Sequence, residues 1–356
     1  MSRPRIQDVA ARAGVSKTAV SFAFNQPEHL NEATRERILA AATELGYRPS
    51  PIARRLAARR TDQIGLVLPQ PTHDAFANAF IPELLRGIGD VCDERGVSLV
   101  IVPPVGGSLA RAVEGALVDG LILLGLAPDH PELELARRAG LPVVALDVDD
   151  WSDADVVAID DAGGSAAAAE HLYRLGHRDI AVVLIAEHPD AALDELDGIS
   201  GRRLAGIRAG LDGERERVGG EPARLRILSA DVSEEGGRAA FAELAAGAMP
   251  TAVFAITDMT AIGILNAASD AGVRVPDELS VVGFDDIPAA AWTTPRLTTV
   301  HQPIREKGRL AARRLIDLTR SAPGDGHLPT IERLPTRLVV RGSTAPIRGE
   351  GGAVRP

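Results

Sequence analysis

A segment near the N-terminus carries side chains whose types and spacing suit recognition of nucleic-acid bases. If residues 17–25 are helical, Lys17, Thr18, Ser21 and Phe22 share one face. A lysine can donate to guanine acceptors, hydroxyl groups can bond a base or a phosphate, and a phenylalanine can pack on a thymine methyl group. An ordinary solvated helix would carry a similar face, so the supporting elements decide between the two interpretations.

Residues 1–49 predict three helices that would support this face. The first has apolar residues at i, i+3, i+4 and i+7 and ends at Gly14. Ser16 then caps the second, from Lys17 to Asn25, and the third spans Glu32 to Leu45. Two helices separated by three residues that include a glycine have helix-turn-helix spacing.

Basic charge is concentrated at the N-terminal end of the chain. Residues 1–60 contain 11 Lys and Arg against 5 Asp and Glu, whereas the remainder contains 28 against 44, within a net charge of −10. A basic segment on an acidic body is typical of a small nucleic-acid-binding module joined to a second domain. A solvated basic surface would explain the charge alone equally well.

Several classes of protein are excluded by the composition. The single cysteine, Cys92, excludes an intrachain disulfide and a cysteine-rich zinc cluster. No apolar run approaches the ~18 residues that cross a bilayer, and residues 1–14 are charged where a signal peptide is apolar. We therefore expect a soluble cytoplasmic protein with no membrane partner.

The body of the chain alternates short apolar strands with amphipathic helices. Such alternation predicts parallel sheets covered by helices on both faces, and nine strands suit two sheets better than one. The predicted strands are Ile64–Leu68, Ser98–Val102, Gly120–Leu124, Val143–Leu146, Val156–Ile159, Ile180–Ile185, Leu225–Leu228, Ala252–Ile256 and Ser280–Phe284. Ahead of them, residues 50–60 predict a basic helix too short to be stable alone.

An enzymatic function has little support in the sequence. Four aspartates could in principle gather around a metal ion: Asp147, Asp258, Asp285 and Asp286. However, His171 and His177 lack the spacing of zinc ligands. The chain also lacks the G-x-S-x-G, P-loop and G-x-G-x-x-G motifs. We expect no catalytic residue, no metal and no cofactor.

Several short motifs follow one another in a specific order along nearly the whole chain. They include Ile6-Gln7-Asp8-Val9-Ala10, Ala13-Gly14-Val15-Ser16, Leu45-Gly46-Tyr47, Gly176-His177-Arg178, Val281-Val282-Gly283-Phe284-Asp285-Asp286 and Leu297-Thr298-Thr299-Val300 with Gln302-Pro303. From about Pro4 to Ala345, this order resembles the lactose-repressor (LacI/GalR) family of bacterial transcription regulators.

The resemblance implies a small all-α helix-turn-helix headpiece and a hinge helix, joined to an α/β core of two parallel-sheet subdomains like the periplasmic sugar-binding proteins. We place the headpiece at 1–49, the hinge at 50–60, the core at 61–345 and a flexible tail at 346–356. Within the core, we expect one subdomain from 61–160 plus 291–325 and the other from 161–290 plus 326–345.

The resemblance also implies which residues contact DNA. The matching positions are Lys17, Thr18, Ser21, Phe22, Asn25, Ala53, Arg54 and Leu56. Leu56 matches a hinge leucine that wedges into the minor groove and kinks the duplex; a leucine packed on the core is the alternative. Phe22 departs from the family, where arginine is common, and its alternative is burial against the third helix.

An effector cleft is implied between the two subdomains. Its matching positions are Asn78, Phe80, Asp147, Arg203, Thr257 and Asp285, with Asp74, Trp151 and Asp161 as further candidates. Most follow strand ends, where open α/β sheets bind ligands. For each acid, a helix cap or a surface ion pair is the alternative. Thr257 departs from the family's usual asparagine, which weakens any inference about the ligand.

The resemblance therefore implies a transcriptional regulator, expected to be a repressor, that binds double-stranded operator DNA under the control of a small-molecule effector. A sugar or sugar derivative is the favoured effector. A nucleobase or another metabolite is the alternative, as is a sugar-binding protein with no regulatory role. Family members are usually homodimers, and some form tetramers through a C-terminal leucine heptad. Residues 343–356 contain no leucine, which favours a dimer.

Overall fold

The structure is a computed structural model that describes residues 4–47, 60–126, 128, 130–133, 138, 140–149, 151–185, 196–321 and 326–347. The chain divides into two compact units: Met1–Gln63, which contains the headpiece, and Ile64–Pro356, which contains nearly all of the core. Within the described residues, no helix is long and apolar enough to cross a membrane.

Three short helices form the headpiece around a small apolar centre. They are α1 (Ile6–Ala13), α2 (Lys17–Asn25) and α3 (Glu32–Leu45). Gly14 ends α1 with a φ of 64°, a left-handed conformation that suits glycine. The Ser16 hydroxyl accepts from the Ala19 amide at 3.1 Å and so caps α2. The predicted helix-turn-helix is confirmed.

The core contains twelve strands and eight helices within its described residues. The strands are β1 (Gln63–Val67), β2 (Ser98–Val102), β3 (Gly120–Leu124), β4 (Val143–Leu146), β5 (Asp155–Ile159), β6 (Asp179–Ile185), β7 (Arg224–Ala230), β8 (Ala252–Ala255), β9 (Ser280–Asp285), β10 (Thr298–His301), β11 (Ile331–Leu334) and β12 (Arg337–Val339). The helices are α4 (Thr72–Ala77), α5 (Phe80–Arg95), α6 (Leu109–Gly115), α7 (Asp161–Arg174), α8 (Gly198–Val218), α9 (Glu234–Ala245), α10 (Asp258–Asp270) and α11 (Ile304–Arg320).

These strands form two six-stranded sheets, as the alternating pattern predicts. The first sheet has the order β11-β5-β4-β3-β1-β2 and the second β12-β10-β9-β8-β6-β7. Strands β3 and β4 pair in parallel in the first sheet, as do β6 and β8 in the second. The edge strand β12 pairs antiparallel with β10. The predicted α/β core of two parallel-sheet subdomains is confirmed.

The expected division of the C-terminal segments between the subdomains is wrong for two strands. We placed 291–325 in the first subdomain and 326–345 in the second. Instead, β10 pairs with β9 in the second sheet, and β11 pairs with β5 in the first. Among the described residues, the chain therefore passes between the sheets near Asp160, at Gln302 and Pro303, and again between β11 and β12.

Candidate functional site

A cavity of about 150 Å³ lies at the carboxyl ends of strands from both sheets. Asp147 follows β4, Thr257 follows β8, and Asp285 ends β9. In open α/β sheets this edge is where ligands bind. All six residues expected in the cleft line this cavity: Asn78, Phe80, Asp147, Arg203, Thr257 and Asp285.

Asp147 forms an ion pair with a buried lysine, Lys307, which the sequence analysis does not identify. Nζ of Lys307 lies 2.8 Å and 2.6 Å from the two carboxylate oxygens of Asp147, and it donates to Oε1 of Gln302 at 2.8 Å. Lys307 is 0 % exposed. Since an ammonium group has three donor hydrogens, these three bonds satisfy it within the protein.

Arg203 is held by groups behind the cavity wall. Its Nε donates to Oδ1 of Asp161 at 2.8 Å, and its Nη1 donates to the carbonyl oxygen of Ile256. The guanidinium carbon lies 3.5 Å from the centroid of the Phe284 ring. Burial raises the pKa of Asp161, but the charges of Arg203 and Arg202 outweigh it, so the net shift is downward. A planar cation is thereby fixed at the cleft.

Asp285, at the end of β9 in the second sheet, lies opposite Arg203 of α8. Its Oδ1 accepts from Nε2 of Gln302 at 2.6 Å and lies 3.6 Å from Nη1 of Arg203. Burial raises the pKa of Asp285 to about 6, against the lowering effect of Arg203. Asp147 and Asp285 have φ values of 59° and 120°, conformations that are strained for residues with a Cβ atom. Such strain is concentrated at binding sites in folded proteins.

Two of the smaller lining residues bond to nearby backbone. Oδ1 of Asn78 accepts from the Phe80 amide at 3.0 Å, at the start of α5. Thr257 is the N-cap of α10, and its hydroxyl shares a hydrogen bond of 2.9 Å with that of Thr260. Thr257 therefore caps α10 as well as lining the cavity.

The further candidates differ in their positions. Asp161 supports Arg203 from behind. Trp151 is buried among apolar residues of the first sheet. Asp74 is exposed and bonds to His73. None of these three is among the residues that line the cavity.

Gln302 and Lys307 are the residues that sequence reasoning missed. Gln302 is part of the Gln302-Pro303 motif that supports the family resemblance, but the sequence analysis predicts no role for its side chain. Lys307 lies three residues after Ile304, on the stripe of α11 that also buries Gly308, Ala311 and Leu315. A lysine at a core position of an amphipathic helix was a signal that could have been used.

The headpiece presents the expected base-reading residues, with one difference. Lys17, Thr18 and Asn25 are exposed on α2, and Ser21 is half-buried. Phe22 is also half-buried, because its ring stacks on that of His29 at 5.2 Å between centroids. Phe22 is therefore only partly exposed on the face expected to meet DNA, and it is not among the residues that pack on the buried centre formed with α3.

The hinge residues Ala53, Arg54 and Leu56 lie outside the described residues. Their expected contacts with DNA stay predictions.

Comparisons with known proteins agree with this arrangement. Residues 5–50 match the family described as bacterial regulatory proteins, lacI family, and residues 169–344 match the periplasmic binding protein-like domain. The regulator CelR of Thermobifida fusca is 34% identical over 350 residues, which cover 96% of this chain and 98% of CelR. The chain belongs to the LacI family. It is a DNA-binding transcriptional regulator with a core of the periplasmic-binding-protein type.

Two solved structures extend the comparison of this LacI-family regulator. A complex of CelR with cellobiose has a TM-score of 0.67 and 32% identity, and the match covers 96% of this chain and 100% of that one. The lac repressor dimer bound to operator and an anti-inducer has a TM-score of 0.75 and 28% identity, with coverage of 97% and 100%. Members of the family are transcriptional regulators rather than enzymes.

Proposed function

We propose that this regulator is a homodimeric repressor, whose two headpieces bind a pseudo-palindromic operator and whose core binds a sugar that changes operator affinity. The lac repressor structure is a dimer on its operator, and the CelR structure holds cellobiose. Because its partner is operator DNA, we place the protein in the cytoplasm.

The proposed DNA-binding function rests on the exposed N-terminal end of α2. Lys17 and Thr18 lie in its first turn, where a recognition helix meets base edges in the major groove. Asn25, at the other end, is positioned by its bond of 3.3 Å to the Ser21 hydroxyl. We assign Lys17, Thr18, Ser21 and Phe22 to the bases and Asn25 to a phosphate.

The observation that carries the effector half is the gathering of all six expected residues around one cavity. Arg203 and Asp285 supply a charged donor and a charged acceptor, which can bond neighbouring hydroxyl groups of a sugar. Phe80 supplies an aromatic face at the same cavity. A sugar matches this combination, since its ring has an apolar face and a rim of hydroxyl groups.

The coupling between the two sites is assigned to the connections between the sheets. Gln302 lies on one connection and bonds to Asp285 of the second sheet and to Lys307 of the first subdomain. An effector that binds between the sheets stabilises one of their relative arrangements. It shifts operator affinity only as far as its own affinity differs between the two arrangements.

One experiment tests both halves. The full-length protein selects its operator from a random DNA library, and a panel of neutral sugars and nucleobases is screened by thermal shift. We expect at least one sugar to raise the melting temperature and to change the affinity of the selected operator, measured by fluorescence anisotropy. Stabilisation by nucleobases alone would favour the alternative effector class, and failure to select any sequence would contradict the repressor function.

A further inference from the structure

The charged side chains at the effector cleft pair with one another. Among the described residues, the cavity is lined by three charged side chains: Asp147, Arg203 and Asp285. Lys307 lies directly behind Asp147, with its Nζ 4.8 Å from the centroid of the Phe80 ring. Arg203 also bonds to the buried Asp161, which in turn pairs with Arg202. These three acids and three bases sum to zero charge when all six are ionised.

Both basic groups of this set are already paired with carboxylates. The three donors of Lys307 are used by Asp147 and Gln302. Arg203 donates through Nε to Asp161 and through Nη1 to the Ile256 carbonyl, and Nη1 also faces Asp285. Its charge is therefore already opposed by two carboxylates, and the Nη2 hydrogens are the ones that can donate to a neutral hydroxyl group of a ligand. A phosphate or carboxylate on the ligand would meet two carboxylates at the cavity wall and no unpaired ammonium group, and a buried charge without a partner is costly.

The acidic groups can still accept hydrogen bonds from neutral donors. A carboxylate has about four lone-pair sites, and each oxygen of Asp147 accepts one bond, from Lys307. Asp285 accepts one from Gln302 on Oδ1. Hydroxyl groups can occupy the remaining sites without disturbing either ion pair. A ligand ammonium would have to compete with Lys307 for Asp147.

We propose that Lys307 determines the selectivity of this cleft, and that by neutralising Asp147 it restricts the effector to an uncharged, hydroxyl-rich molecule. This inference rests on the proposed sugar-binding function and adds the charge of the ligand. The chain has only two lysines, Lys17 and Lys307, against 37 arginines. The compact ammonium fits between Asp147 and Gln302, where a planar guanidinium could not make the same three bonds.

The first test needs no knowledge of the effector and uses inorganic phosphate as the probe. The melting temperature of the full-length protein is measured in phosphate and in chloride at equal ionic strength and pH 7.5. We expect no cleft-dependent gain in the wild type. In Asp147→Asn, Lys307 keeps its charge and loses its carboxylate partner, so phosphate should raise the melting temperature by about 2–4 °C more than in the wild type.

Two further variants locate this effect. Asp147→Asn combined with Lys307→Met should lose the gain, because the free ammonium is gone. Arg309→Met removes a cation from the surface of the same helix, paired there with Asp90, and should behave as the wild type. Phosphate bound by the headpiece is common to all variants and cancels. A folded Asp147→Asn protein with no gain would overturn the role of Lys307, as would a gain that survives the double change.

The second test uses the wild type alone, so it does not depend on any variant folding. Matched ligands are compared by calorimetry: D-glucose with D-glucuronate, glucose 6-phosphate and D-glucosamine, and D-ribose with ribose 5-phosphate. The neutral member of any pair that binds should bind at least about tenfold more tightly. A tighter charged member would overturn the proposal. If no sugar alters operator binding while the phosphate result holds, the sugar-effector function fails and the charge selectivity stands.

Discussion

The carboxylate of Asp161 fixes the guanidinium of Arg203, with Oδ1 and Nε separated by 2.8 Å and both side chains buried. Asp161 begins α7, directly after the chain leaves the first sheet, whereas Arg203 lies on α8. The ion pair therefore sets the direction of a cleft residue from outside the cleft. Asp161 is a positioning residue in this arrangement.

Asp161→Asn should weaken the sugar response without changing operator affinity. A charge-assisted hydrogen bond contributes about 1.5–3 kcal/mol, so we expect sugar affinity to fall roughly tenfold or more. Asp149→Asn is the matched control, because the exposed Asp149 carboxylate bonds to Arg202 and leaves Arg203 untouched. Calorimetry with the sugar found in the screen measures the effect. Equal affinities for the two variants would contradict the positioning role.

Close packing of α5 on α11 predicts opposite effects for two nearby glycines. A Cβ atom on Gly87 would lie 2.0 Å from the Arg305 carbonyl oxygen, whereas one on Gly89 would have no neighbour within 4 Å. Gly87→Ala should lower the free energy of unfolding by about 3 kcal/mol through overpacking. Gly89→Ala should raise it by about 0.5–1 kcal/mol through helix propensity. Denaturant titration of both variants checks this, and similar values would show that the helices are not packed as described.

Much of the fold could be predicted because its elements have strong local signals. Periodicity and capping located α2 and α3 at the residues observed, and buried apolar runs located β2, β3 and β4. The strands β10, β11 and β12 were missed. They contain three or four residues and include Thr, Glu and Arg side chains, so neither length nor alternation separates them from loops. Sheet membership depends on long-range pairing, which no local pattern contains.

The cleft residues could be placed only because their positions match a family. The sequence gives no local reason why Arg203 and Asp285, far apart along the chain, should lie 3.6 Å from each other. Lys307 was overlooked because lysine is ordinarily exposed. The stack of Phe22 on His29 was overlooked because it joins a helix to the turn that follows it.

The Phe22–His29 stack makes a specific prediction about operator recognition. Phe22→Ala should lower headpiece stability by about 1 kcal/mol, the contribution of an aromatic pair, and cost roughly 1–3 kcal/mol at one base pair of each half-site. We expect that base pair to contain a thymine whose methyl group contacts Phe22. Replacing this thymine by uracil should weaken operator binding by the wild type and leave operator binding by Phe22→Ala unchanged. His29→Ala loses the stack but keeps the phenyl group, so it should retain the thymine preference. A wild type indifferent to uracil would exclude contact with the methyl group.

The buried imidazole of His177 should make the core less stable in acid. Its ring bonds to the Thr251 hydroxyl at 3.0 Å and to the Ala345 carbonyl at 3.1 Å. Burial lowers the pKa of His177 from 6.5 to about 4. The unfolded chain therefore binds the proton first, and stability falls as the pH drops from about 6.5 towards 4, by about 3 kcal/mol at most.

The matched variant for this prediction is His177→Gln, which should lack that acid-dependent loss. The raised pKa of Asp285 acts in the opposite direction over a similar range, so the difference between wild type and variant isolates the histidine. Urea denaturation at a series of pH values measures it. Parallel pH profiles for the two proteins would contradict the assignment.

The most direct test of separate DNA and effector sites is a titration of the selected operator, with and without the active sugar, for Lys17→Ala and Arg203→Ala. Fluorescence anisotropy gives operator affinity, and calorimetry gives sugar affinity. Lys17→Ala should lose operator affinity and keep wild-type sugar binding. Arg203→Ala should keep operator affinity and lose the response to sugar. If Arg203→Ala responds to the sugar as the wild type does, or if Lys17→Ala binds the operator normally, the assignment of the two sites is contradicted.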